Sequence, residues 1–137
     1  MDLNTVRAYL LRKPEAQEDF PFGPDAMVFK VKGKMFALLS CGSRKGSGNR
    51  PQLNLKCDPL EAIQLRDVFD DISAGYHMNK KHWNTLYLID TNHTCDIPTG
   101  EIERQIDNSY ALVVKGMTKT VRRSLETSYS DEELYGP

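Results

Sequence analysis

Residues 76–83, Tyr76-His77-Met78-Asn79-Lys80-Lys81-His82-Trp83, gather two lysines, two histidines, an amide and the only tryptophan of the chain. The chemistry these types can do together is anion binding: ammonium groups meet phosphate oxygens while a flat ring lies against sugar or base. A second cationic stretch, 42–50, carries Arg44, Lys45 and Arg50 among glycines and serines with no acid between them. The formal net charge is −1, so attraction to a polyanion must be local rather than a property of the whole particle. Acids collect elsewhere, at 15–19, 67–71 and 131–133.

Other chemistries find less support. His77, His82, His93 and Cys95 are potential metal ligands, but their spacing fits no common zinc pattern, and no metal site or cofactor is expected. Ser40-Cys41-Gly42-Ser43 has no histidine beside it and no oxyanion-loop signature before it. Gly46-Ser47-Gly48 lacks the Lys-Ser/Thr of a phosphate-binding loop. Asp70-Asp71 and the Glu101/Glu103 pair sit near helix ends, where solvation and the helix dipole account for them. The chain reads as a binding module and not as an enzyme.

The elements that must carry these residues follow from periodicity. Leu3, Val6 and Leu10 predict a helix over 3–13 that stops before Pro14. Residues 15–25, rich in Pro and Gly, predict an irregular connector. Two β-rich runs, 27–32 and 35–41, flank Gly33-Lys34 as a hairpin. The alternation in 52–56 predicts a strand with Leu53 and Leu55 inward and Gln52, Asn54 and Lys56 on a solvated face. Asp58-Pro59-Leu60-Glu61 has the order of a helix start, with Asp as cap, Pro at the first position and Glu closing a capping box, for a helix running to about residue 69. Extended pieces at 72–78 and 83–90 form a second hairpin with a basic tip, the later strand buried on both faces. Ile102, Ile106, Tyr110, Val113 and Val114 predict a long helix over 99–117. A further turn or two follows over 118–125, and the acidic end is expected to be disordered. The fold class is α+β: two layers, an antiparallel sheet of about five strands with helices packed on one face. The organisation is one domain over 1–118 and a C-terminal extension over 119–137.

Hydrophobic content of 39% and charged content of 27% exclude neither a core nor solubility, and no apolar run approaches a membrane span. Three widely spaced cysteines, odd in number, predict reduced thiols. The start Met1-Asp2-Leu3-Asn4 lacks the order of a secretory signal, and the cytoplasm is the expected compartment.

Three segments carry a family resemblance: Cys57-Asp58-Pro59, Gly75 through Asn84, and Ser109-Tyr110-Ala111-Leu112-Val113. Over roughly residues 1–118 the chain resembles the MmcQ/YjbR family. That resemblance implies a frataxin-like or secretion-chaperone-like fold and a DNA-binding role through two projecting wings, here the 42–50 loop and the 76–83 hairpin. On this reading Arg44, Lys45, Arg50, Lys80 and Lys81 pair with phosphates, Asn79 and His82 donate to a base edge or the sugar backbone, and Trp83 stacks or braces. Five such contacts give log affinity a slope of roughly −4 to −5 against log salt. The frataxin likeness does not bring iron with it, because Arg7, Arg12 and Lys13 occupy the first helix, where acids would be needed. The alternative is a protein- or peptide-interaction module, and the polar outer strand positions favour a monomer in either case.

Overall fold

The computed structural model describes residues 1–42, 50–75 and 78–136. Over these the chain forms α1 (Leu3–Leu11), β1 (Gln17–Asp19), β2 (Ala26–Val31), β3 (Lys34–Ser40), β4 (Gln52–Lys56), α2 (Pro59–Val68), β5 (Ile72–Ala74), β6 (Trp83–Tyr87), α3 (Thr99–Lys115), α4 (Lys119–Glu126) and α5 (Asp131–Tyr135). The strands make one six-stranded antiparallel sheet in the order β1-β2-β3-β4-β6-β5. The expected two-layer α+β class is the one that forms, with β1 added at the edge. This strand falls in the predicted connector because Gln17-Glu18-Asp19 has no apolar alternation. Pairing with β2 and ion pairs from Arg7 to Glu18 at 2.6 Å and Lys30 to Asp19 at 3.4 Å hold it instead.

Helix starts follow local capping chemistry. Asp2 accepts from the Thr5 amide and Thr5 returns a bond to Asp2, and α1 ends at Leu11, short of the predicted limit. At α2 the Asp58 carboxylate accepts from the amides of Leu60 and Glu61 with Pro59 in the first turn. The Glu61 side chain does not close the expected box; it pairs with Arg104 of α3 at 2.8 Å. α3 lies across β3 and β4, while α2 packs on β5 and β6 and α1 on β3. Its buried stripe of Ile102, Ile106, Tyr110 and Val114 meets Phe29, Phe36, Leu39, Leu53, Leu55 and Leu86. Between Phe29 and Lys30 the β2–β3 register shifts, which leaves Phe36 as the extra residue, edge-on to Tyr110 at 5.2 Å. Ser109 then ties the layers, donating to the Phe36 carbonyl at 2.7 Å and accepting from the Lys56 amide at 2.8 Å.

The predicted solvated face of the sheet is a correction. Val28, Leu38, Asn54 and Thr85 lie across its centre on the side away from the helices, and each is less than a tenth exposed. Asn54 accepts from the Thr85 hydroxyl at 2.6 Å, and Met35 and Met78 pack on Ala26, Val28 and Leu38. The Thr85–Asn54 bond lies within this buried face, so the polar alternation of 52–56 marks a buried hydrogen bond rather than contact with water.

The acidic end corrects the other expectation. Ser130 accepts from the Glu133 amide and Glu133 from the Ser130 amide, each at 3.1 Å, a capping box that was present in the sequence as Ser-x-x-Glu. It starts α5, which packs on α3; its Leu134, and Leu125 of α4, both 0% exposed, lie in the core. Leu134→Ala is expected to cost about 2–4 kcal/mol in chemical denaturation. An unchanged midpoint would mean that the end contributes nothing to the fold. Among the described residues no helix is long and apolar enough to cross a membrane.

Candidate nucleic-acid interface

The tip between β5 and β6 is built by close backbone approach. The Gly75 amide donates to the Trp83 carbonyl at 2.9 Å, and a Cβ on Gly75 would lie 2.9 Å from the Trp83 Cβ and 3.1 Å from its carbonyl oxygen. Only glycine fits without displacing the strand. Gly75→Ala is therefore expected to cost about 1–3 kcal/mol and to shift the amide resonances of residues 79–83; a spectrum unchanged outside residue 75 would contradict the geometry. At the turn itself, the Asn79 side-chain oxygen accepts from the Lys81 amide at 3.0 Å, and its carbonyl accepts from the amides of His82 and Trp83. This Asx-type turn presents Lys80, Lys81 and His82 to solvent. The side-chain oxygen of Asn79 is committed to shaping the tip, which makes positioning its clearest role. The His82 carbonyl accepts from the Cys57 amide at 2.7 Å, which pins the tip to the end of β4. Trp83 is half-buried opposite Lys56, in the position of a brace.

Two cations that the sequence reading did not single out join this end of the sheet. Lys56 closes β4 beside Trp83, and Lys34, at the start of β3, shares with Lys56 and Met35 a shallow depression against the end of α3. On the other side Lys80 and Lys81 line a groove with Pro59, Ile63, Arg66 and Asp67 of α2. Among the described residues, Lys34, Lys56, Lys80 and Lys81 have no carboxylate within salt-bridge distance, whereas Arg7, Lys13, Lys30, Lys32, Arg50, Arg104 and Arg122 each have one. Two neighbouring acids have other partners, since Asp58 caps α2 and Glu61 pairs with Arg104. Lys34 and Lys56 are isolated strand-end lysines in the sequence, and only the β3-β4-β6 pairing reveals that they are neighbours.

The second cationic loop leaves the sheet elsewhere. Ser40 pairs with Gln52 and Gln52 with Tyr87, whereas Lys56 pairs with Trp83. The 42–50 loop is thus anchored at the opposite end of β4 from the 76–83 tip. Topology requires this: each loop enters its sheet at the start of a strand, and β4 and β6 are antiparallel neighbours. The two wings that the resemblance implies are therefore rooted at opposite ends of β4. Arg44 and Lys45 lie outside the described residues.

Arg50 is also corrected. Its Nη1 donates to Asp71 at 2.9 Å, its Nε to the Leu88 carbonyl at 2.9 Å, and its Nη2 to the carbonyls of Tyr87 and Thr94. Its side chain is 14% exposed, with the guanidinium 5.7 Å from the centre of the Tyr87 ring. Four of the five guanidinium donors are spent on the Asp71 carboxylate and three backbone carbonyls, which holds this side chain inside the protein and away from a phosphate. Asp71 also accepts from the Asp96 amide, and the Asp96 carboxylate accepts from the amides of Asp70 and Asp71. Burial pushes the Asp71 carboxyl up, but the Asp96 amide and the Arg50 guanidinium together hold it below the ordinary value. Asp71 is therefore part of this clasp rather than a solvating helix-end acid.

His93 approaches Asp90 at 2.8 Å and lies with Cys95 and Asp96 around Arg50, away from His82 at the tip. His77 lies outside the described residues, and among those described no three potential ligand side chains gather as a metal site would require. Burial, with the carboxylates of Glu61 and Asp58, pushes the Cys57 thiol up to about 11. Burial raises the Cys41 thiol too.

A family model described as YjbR matches residues 11–112. Uncharacterised protein YbdF of Escherichia coli O157:H7 is 36% identical over 115 residues, covering 84% of this chain and 86% of its own length. Uncharacterised protein YjbR of Escherichia coli K12 is 30% identical over 125 residues, 91% of this chain and 98% of its own. The crystal structure of a Deinococcus radiodurans protein with the domain DUF419 superposes with a TM-score of 0.73 at 33% identity, covering 90% of this chain and 86% of that one. The chain belongs to the YjbR family.

Proposed function

We propose that this YjbR-family protein binds the phosphate backbone of DNA through one cationic end of its sheet. Lys34, Lys56, Lys80 and Lys81 take phosphates, with His82 as a donor at the tip and Trp83 as its brace. The observation that carries this reading is that, among the described residues, four lysines without a carboxylate partner gather at one end of the sheet, whereas the other cations without one, Arg12, Arg66, Lys115, Lys119 and Arg123, lie on helices or at their ends. A particle of net charge −1 can then still present a positive patch to a polyanion. The protein acts as a binding module without chemistry of its own, and the cytoplasm is where it meets DNA. Burial raises the thiols of Cys41 and Cys57, which makes these two side chains poor nucleophiles.

Titration of isotope-labelled protein with a short duplex at low salt tests the location. Amide shifts are expected at residues 34, 56 and 79–83, with Arg50, Tyr87 and Thr94 unmoved. Shifts concentrated around Arg50, or none, would contradict the proposal.

A further inference from the structure

We infer that the groove between α2 and the β5–β6 tip takes the unpaired bases of a single strand of DNA whose phosphates lie on the tip lysines. This deepens the DNA-binding reading and rests on it. The groove has a volume of about 560 Å³, with Pro59 and Ile63 as its apolar part and Arg66, Asp67, Lys80 and Lys81 around them. Ile63 is 54% exposed and Leu60, one turn earlier on the same side of α2, is 74% exposed, whereas Ala62 and Leu65 face the core. Large apolar side chains left in water beside unpaired lysines suit a ligand that alternates flat apolar faces with negative charge.

A duplex does not present that alternation. Its bases are stacked inward, and its backbone offers lysines only phosphate and sugar. A single strand exposes base faces that bury against apolar surface while the backbone follows a cationic track. Two further groups fit the same occupant. Arg66 donates from Nε to the Ala62 carbonyl at 3.1 Å, which tethers its guanidinium along α2 as a stacking plane. Asp67 would repel phosphate but can accept from an exocyclic base amine. The strand is taken as DNA because the reading this inference rests on is of DNA; Arg66 and Asp67 could also bond a 2′-hydroxyl, so the RNA arm of the test decides the sugar.

The test is fluorescence polarisation at one low salt concentration with a labelled DNA strand, the same strand in duplex and the corresponding RNA. The full-length protein is compared with Leu60→Ala/Ile63→Ala, a variant whose altered side chains are exposed and whose fold is checked by circular dichroism. The wild type should bind the DNA strand about 10-fold tighter than duplex, and the variant should lose about 5- to 10-fold on the strand with duplex affinity unchanged. Duplex binding as tight as the strand, or a strand affinity that the variant keeps, overturns the inference and leaves DNA binding standing. Absence of binding to all three overturns both. RNA bound as tightly as DNA overturns the choice of sugar. Affinity instead for an acidic, leucine-bearing peptide, lost in the same variant, would give the groove to a protein partner.

Discussion

Lys80→Glu/Lys81→Glu, made together, should lower affinity for duplex DNA at low salt by about 100-fold or more and leave the fold intact. Both side chains are exposed, and neither has an ion pair to lose. The tip is shaped by Asn79 and held by the Gly75 and Cys57 contacts, all of which survive the substitutions. Each lost phosphate contact removes about 0.9 from the slope of log affinity against log salt, so the double variant should lose about 2. The introduced carboxylates also repel the backbone that the lysines attracted. Polarisation against salt checks both numbers, and thermal melting checks the fold. Unchanged affinity in a folded double variant would remove the tip from any nucleic-acid role.

Arg50→Ala has the second large effect, and it acts on stability. Removing one member of a mostly buried ion pair leaves the other uncompensated, a loss of about 3 kcal/mol, and the carbonyls of Leu88, Tyr87 and Thr94 lose their donor as well. For a chain of this size the midpoint of thermal unfolding should fall by about 10 °C. DNA affinity of the folded variant should not change, which separates Arg50 from Lys80 and Lys81. The same pair shapes the acid limb. The folded Asp71 carboxyl is depressed, so its contribution is complete above the unfolded value of about 3.9 and is lost as pH falls through the folded one. Wild type should therefore lose more stability than Arg50→Ala between about pH 5 and pH 2. A variant as stable as wild type, with weakened DNA binding, would return Arg50 to the surface role the sequence suggested.

The contrast between these variants shows where reading the residues succeeds and where it stops. Local signals are strong enough to place α2 at Asp58-Pro59, the stripe of α3 and both hairpins, because capping and periodicity act within a few residues. The tip was legible for the same reason. Arg50 was not: its glycine- and serine-rich neighbours look like solvent, and its partners Asp71, Leu88 and Thr94 lie far along the chain. Lys34 and Lys56 were missed because strand order decides which strand ends are neighbours. Asn54 misled in the opposite direction, since a polar residue in an alternating strand reads as wet until Thr85 is seen beside it. The capping box at Ser130 is a local Ser-x-x-Glu signal set in an acidic end whose composition points the other way.

The salt dependence of duplex DNA affinity tests the central claim most directly. Four unpaired lysines acting on phosphates predict a slope of log affinity against log salt of about −3.6 for the wild-type protein. A slope near zero, or affinity too weak to measure at low salt, would contradict a cationic end that grips DNA.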